Sequence, residues 1–353
     1  MAMTMRERIL AVVTGREHDR VPFAQYDGIA APNQAVWDLV GRANMGVLRW
    51  SGVHRCEYPR CRFEAEPTAR GGLPGTRTTL VTPAGCLVEE RYYEPAYGSS
   101  SIARHYVREP RDYTVLAALL RDAVVVDDTE RFLRDERDMG DDGVAHVAID
   151  RTPYQQLWVQ WVSLEDLAAH LVDCPERVHE CVDLMAGIAR RVFDIVRRAP
   201  LPYVVFPDNI TAPAIGPRYF REHAMPLYAE LADMLADRGT PIYVHMDGDL
   251  KPLWSSIGES RVDGLDSLSP PPDNDTAVGA AADMWPRMRL GVNFPSSVHL
   301  QPANVARASA ERILAEAGHT GRLQIQVSEN VPAGAWRTSY PAIVDAVTAF
   351  GRP

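Results

Sequence analysis

The sequence predicts a single (β/α)8 barrel of the TIM type, spanning residues 1–353, with an inserted antiparallel β meander. Three observations lead there. Eight short runs rich in β-formers recur along the 353 residues, most of them followed by helical stretches. The runs are nearly continuously apolar, as in a parallel sheet covered on both faces. Residues 60–108 break the alternation with Gly- and Pro-rich turns between strand-like pieces.

In order, "TMRERILAVVTG" reads as a helix that Thr4 caps and Gly15 ends. "VPFAQY" (21–26) and "NMGVLRW" (44–50) are the first two strands. "TRTTLVT", "CLVEERYY" and "ARHYVRE" are pieces of the 60–108 meander. "VAHVAID" (144–150) is the third barrel strand. Helices "SLEDLAAHLVD" and "PERVHECVDLMAGIARRVFDIVRR" follow, the latter with Pro175 at a favoured first-turn position. Strand "PYVVFPD" (202–208) leads into the helix "GPRYFREHAMPLYAELADMLADRG", and strand "PIYVHMD" comes next. "VDGLDSL" (262–268), "RMRLGVNF" (287–294) and "RLQIQVSE" (322–329) complete the eight, and helices "NVARASAERILAEAG" and "YPAIVDAVTAF" follow the last two. An open dinucleotide-binding sheet lacks its mark, because no Gly-x-Gly-x-x-Gly turn follows a strand. Neither nicotinamide nor flavin is expected.

Composition narrows the function. The apolar fraction is 46%, enough for a large core, and the net charge is −10. Nucleic acid or an anionic membrane would need a basic face, so neither is expected as a partner. The N-terminal "MAMTMRERILAVV" is too charged for a signal peptide, and no apolar run reaches about 18 residues. Five scattered cysteines fit a reducing, cytoplasmic protein without a disulfide framework. Cys56 and Cys61 are the close pair, but no second Cys/His pair at zinc-ribbon spacing follows.

Barrel chemistry sits at the carboxyl ends of the strands. Those ends carry Tyr26 and Asp27, Asp150 with Arg151, Asp208 with Asn209, His245 with Asp247, Asp266, Asn293, and Glu329 with Asn330. Polar loops account for part of this set. His245 and Asp247 stand out, because positions i and i+2 of a strand face one side and could grip one ion. A hydrogen-bonded core histidine followed by an Asp-Gly turn is the alternative.

The chain resembles the uroporphyrinogen decarboxylase superfamily. The resemblance runs through "MRERILAVVTGREHDRVPF", "TPAGCLVEE", "DRTPYQQLW", "DCPERVHECVDLM", "IGPRYFREHAMPLYAEL", "PIYVHMDGDL", "GLDSLSP", "LGVNFP" and "VSENVP", in order along the whole chain. It implies a (β/α)8 barrel and two kinds of activity: porphyrin decarboxylation, or zinc-dependent methyl transfer serving corrinoid proteins. The decarboxylase's Arg-rich segment after strand one is here "FAQYDGIAAPN", without an arginine. A polycarboxylate tetrapyrrole would find no counter-charge there.

The methyltransferase branch holds zinc with His-x-Cys-Gly after strand five and Gly-Cys-x-x-Pro after strand eight. On that pattern His245 matches the His, Gly248 the Gly and Pro332 the Pro, while Asp247 and Glu329 replace the two cysteines. The resemblance therefore implies His245, Asp247 and Glu329 as ligands of a divalent metal. Oxygen donors widen the choice from zinc to manganese or iron. The alternative is that the metal is lost and these residues act as acids and bases.

The expected catalytic residues are His245, Asp247, Glu329 and Asp208; Arg151, Tyr26, Asn209, Asn293 and Asn330 are expected to bind substrate. The expected activity is a methyl (group) transferase or demethylase on a small oxygenated substrate, with a corrinoid protein or another methyl acceptor as partner. A decarboxylase or other lyase on a small carboxylate, with Arg151 as anion clamp, is the rival, and a non-catalytic binding protein is a third reading. A homodimer is the expected assembly.

Overall fold

All eight expected strands form and pair in parallel. The computed structural model describes residues 2–96, 98–329 and 331–352. The strands are β1 (Phe23–Tyr26), β2 (Gly46–Ser51), β3 (Gly143–Val147), β4 (Val204–Phe206), β5 (Ile242–His245), β6 (Gly264–Leu268), β7 (Arg289–Asn293) and β8 (Leu323–Val327). Their order is β4-β5-β6-β7-β8-β1-β2-β3. The two ends meet through a parallel bridge between Ala148 and Val205, which nearly closes the sheet into a barrel.

Two compact units are distinguished. The first holds residues up to Val53, Thr129–Ile149 and those from Ala199 on, and it contains all eight strands. Its first helix, Met5–Thr14, has the expected ends: Thr4 and Glu7 form a capping box, and Gly15 closes the helix at φ 71°. Met5, Ile9 and Val13 of this helix pack on Ala24, Leu48, Val144, Val205 and Tyr243. The contact closes the amino end of the barrel over a layer of buried, mostly apolar side chains. The period-two rule then puts Tyr26, His146 and His245 on the same inward faces as Ala24, Val144 and Tyr243.

The second unit, 54–128 and 150–198, holds the meander. Strands Arg62–Arg70, Leu73–Thr82, Gly85–Glu94 and Ser99–Arg104 pair antiparallel in sequence order, within the expected 60–108. A separate antiparallel pair, His54–Glu57 with Val124–Asp127, was not expected. Its short strands lie outside the Gly/Pro-punctuated stretch that marks the meander. All five cysteines are free.

Boundaries differ where Pro and Gly interrupt a helix. The segment expected as one helix over 216–239 begins at Ala212, bends where Gly216 takes φ 61°, and passes through a π turn at Phe220–Ala224 before Met225–Leu235. Among the described residues, no helix is long and apolar enough to cross a membrane.

Candidate functional site

The carboxyl end of β5 meets a buried polar network. His245, the last residue of β5, lies in register with Asp266 of β6. Its Nδ1 is 2.7 Å from Asp266 Oδ2. The same carboxylate oxygen accepts the Tyr26 hydroxyl at 2.5 Å, and Gln326 Nε2 donates to Oδ1 at 2.8 Å. His146 Nε2 lies 3.3 Å from Asp266, and its Nδ1 is 2.8 Å from the Tyr203 hydroxyl. Trp50 packs edge-on to Tyr26 and His146, with centroids at 5.0 and 4.4 Å. Asp266, at 2% exposure, is thus the hub of the network.

A bulge adds Ser267 to that hub. The pairing of β6 with β7 shifts between Leu265 and Leu268, and Ser267 takes the left-handed conformation at φ 61°. In a regular strand Asp266 and Ser267 would face opposite sides. Here the Tyr26 hydroxyl and Gln326 Nε2 reach Ser267 Oγ as well, at 3.2 and 3.0 Å. A non-glycine residue in that conformation costs on the order of 1–3 kcal/mol, and such strain clusters at functional sites.

The other face of His245 meets Asp247. Strand β5 stops at His245, one pair short of the expected extension to Asp247. The chain turns because Met246 N–H bonds to Asp266 O and Gly248 N–H to Ile210 O. A Cβ on Gly248 would lie 2.2 Å from Thr211 Cβ, so only glycine allows this approach. The turn still delivers Asp247 Oδ2 to 3.3 Å from His245 Nε2. Asn209 Nδ2 donates to the same oxygen at 2.9 Å, and Asn274 Nδ2 holds the Asp247 carbonyl at 2.8 Å.

Burial works against charge on His245, but hydrogen bonds to Asp247 and Asp266 and their negative charges outweigh it. They push its pKa up to about 10. Burial likewise opposes ionisation of Asp266, yet the nearby His146 ring and the hydrogen bond and charge of His245 hold it well below the usual carboxylate range. Asp247 is lowered too: the His245 bond overcomes its desolvation. Tyr26 is driven well above its ordinary value, by burial first and then by the Asp266 charge. At neutral pH the centre is an imidazolium between two carboxylates, with a neutral phenol beside it.

The expected site residues fall into separate groups. His245, Asp247, Asn209 and Tyr26 are brought together. Asp208 is fully buried and accepts a short bond from the Tyr228 hydroxyl. Asn293 and Glu329 form a second group: Asn293 Nδ2 lies 3.4 Å from Glu329 Oε1, and Ser296 Oγ donates to Oε2 at 2.7 Å. Arg151 belongs to the second unit. Asn330 lies outside the described residues.

Two of the three expected metal donors stand at ligand spacing. Two ligands at about 2.1 Å on a tetrahedral ion stand roughly 3.4 Å apart, close to the spacing seen here. His245 Nε2 and Asp247 Oδ2 are 3.3 Å apart, and Asp266 on Nδ1 is the usual outer partner of a ligating histidine. The third expected donor does not fit. Glu329, at the end of β8, is turned to Asn293 and Ser296 of the neighbouring β7 segment, and β8 is not adjacent to β5. Among the described residues, no three His, Cys, Asp or Glu side chains gather to hold an ion.

Sequence reasoning placed Asp266 at a strand end without giving it a role, and missed His146, Gln326 and Asn274. The signal was present for the first three: each is a polar residue inside an otherwise apolar strand. Gln324 and Gln326 even share a face at i and i+2.

Comparison with known proteins fits this architecture. No curated protein matches the sequence. Among solved structures, a methyltransferase from Methanosarcina mazei superposes with a TM-score of 0.58 at 13% identity, covering 99% of each chain. A B12-independent methionine synthase from Shewanella sp. W3-18-1, in complex with selenomethionine, gives 0.46 at 9% identity, covering 90% of this chain and 84% of that one. The family model for uroporphyrinogen decarboxylase (URO-D) matches residues 159–349, which is 191 of the 353 positions. The match includes β4 to β8 with His245, Asp247 and Asp266, and the chain belongs to the uroporphyrinogen decarboxylase family.

Proposed function

We propose that the chain is a group-transfer enzyme of the methyltransferase type, acting on a small oxygenated substrate such as a methyl ether. A corrinoid protein or another nucleophile is its methyl acceptor. The observation that carries this reading is His245, held charged between Asp266 and Asp247 at the carboxyl end of β5. Cleaving an ether C–O bond leaves an alkoxide unless a proton arrives. Asp266 fixes the ring through Nδ1, so Nε2–H is the proton that faces Asp247 and a bound substrate oxygen. As the methyl group passes to the acceptor, Nε2 gives its proton to the departing oxygen, the alcohol leaves, and solvent reprotonates the ring. Asn209 and Asn274 hold Asp247 so that it receives the Nε2–H between turnovers.

The test is turnover of small methyl ethers with reduced cobalamin, read as methylcobalamin absorbance. His245→Ala is expected to lose about 100-fold or more, the usual worth of a placed general acid. Release of carbon dioxide from small carboxylic acids, with no methyl transfer from any ether, would overturn methyl transfer in favour of a lyase.

A metal-dependent form of the reaction is favoured by one distance, the 3.3 Å between His245 Nε2 and Asp247 Oδ2. Element analysis of protein purified without chelator separates the two. The acid–base form predicts no stoichiometric zinc, manganese or iron; about one ion per chain, lost in Asp247→Ala, would favour the metal.

A further inference from the structure

The opposite end of the same barrel carries a basic groove that the chemistry above does not use. It has a volume of about 530 Å³, and its lining includes Arg16, Glu17, His18, Arg287, Arg289 and Arg322. Arg289 opens β7 and Arg322 immediately precedes β8, so the groove lies at the amino ends of parallel strands. His245 closes the carboxyl end of β5. For a chain with net charge −10, several cations facing one acid is a local inversion of charge.

Structural duties account for only part of this cluster. Arg322 is spent on the backbone: its guanidinium donates to the carbonyls of Ala282, Trp285 and Met288. Arg16 bonds only sideways, Nε to Thr14 Oγ1 at 2.9 Å. Among the described residues Arg16, Arg287 and Arg289 form no ion pair, although other arginines of this barrel do, such as Arg8 with Asp19 and Arg49 with Asp27. Arg289 is also given room. Its guanidinium lies against Gly15, where a Cβ would come within 2.2 Å of Nη2. His18 Nε2, shut off from water, has no hydrogen-bond partner.

We propose that this groove binds a small anion carrying two or more phosphate groups. Guanidinium forks match phosphate oxygens in pairs, and like charges packed around a concave space raise the local concentration of a polyanion. The volume suits a small molecule. Arg16, Arg287 and Arg289 hold the ligand, Arg322 adds its field while remaining a backbone clamp, and Glu17 disfavours singly charged anions too weak to offset it.

The test is calorimetric titration of the full chain with tripolyphosphate at low ionic strength, where surface charges are least screened. Saturable binding near one per chain is expected, weakened about tenfold or more in the Arg16→Glu/Arg287→Glu double variant and weakened about as strongly when citrate replaces tripolyphosphate. His245→Ala should bind tripolyphosphate as the parent does, so failure here is separable from failure of the proposed reaction. Circular dichroism of the double variant, whose substituted side chains are exposed, checks that it folds. No saturable binding, an undiminished affinity in the folded double variant, or equal affinity for citrate or polyglutamate overturns the proposal.

Discussion

Asp266→Ala is expected to destabilise the barrel-bearing unit by about 3–5 kcal/mol, the cost of breaking a buried charge cluster on one side. The carboxylate holds Tyr26, His245 and Gln326 by hydrogen bonds and stands 3.3 Å from His146. Without it the Tyr26 hydroxyl and one Gln326 donor lose their main acceptor in a place water does not reach. His245 keeps only Asp247 and should lose much of its raised pKa. Asp266→Asn keeps an acceptor oxygen but not the charge, and should lie between the two. Denaturant unfolding of the three proteins gives the order directly; a loss below about 1 kcal/mol in Asp266→Ala would show that the hub is not structural.

Stability should also fall steeply in alkali. The folded pKa of His245 is raised from 6.5 to about 10. A raised histidine pKa means that the folded state binds the proton more tightly than the unfolded chain. Its stabilisation is complete below about pH 6.5 and disappears as pH rises through about 10. The loss across that window is on the order of a few kcal/mol. Asp266 and Asp247 are depressed, so their contribution is present above their ordinary range and is lost as the medium turns acid. Unfolding free energies of chelator-treated protein from pH 6 to 10 should therefore slope downward, and His245→Gln should flatten the slope. Equal slopes in both proteins would place the alkaline transition elsewhere.

The architecture was legible because barrel strands advertise themselves: "VVF", "IYVH" and "LQIQV" are buried on both faces, and most of their residues are β-branched or apolar. Helix ends were legible where caps are local, as at Thr4 and Gly15. The pair His54–Glu57 and Val124–Asp127 was not, because strands far apart in sequence carry no mark of each other. The His245–Asp247 pair was readable from i and i+2 spacing, although the strand ends early and a turn makes the contact. Asp266 was harder. Its inward aim follows from its register with His245, but the bulge that turns Ser267 inward beside it has no mark, because no propensity announces a non-glycine residue at positive φ. Glu329 was matched to a motif position, but the neighbours β7 offers at the rim decide where its carboxylate goes.

The central claim is that His245 is an imidazolium clamped between Asp266 and Asp247. Nitrogen-15 NMR of histidine-labelled, chelator-treated protein measures this, with His245→Gln to assign the resonance. Both ring nitrogens of His245 should remain protonated at pH 8 and titrate with a midpoint near 10. A His245 ring that is already neutral at pH 8, with a midpoint in the ordinary range near 6.5, would contradict it.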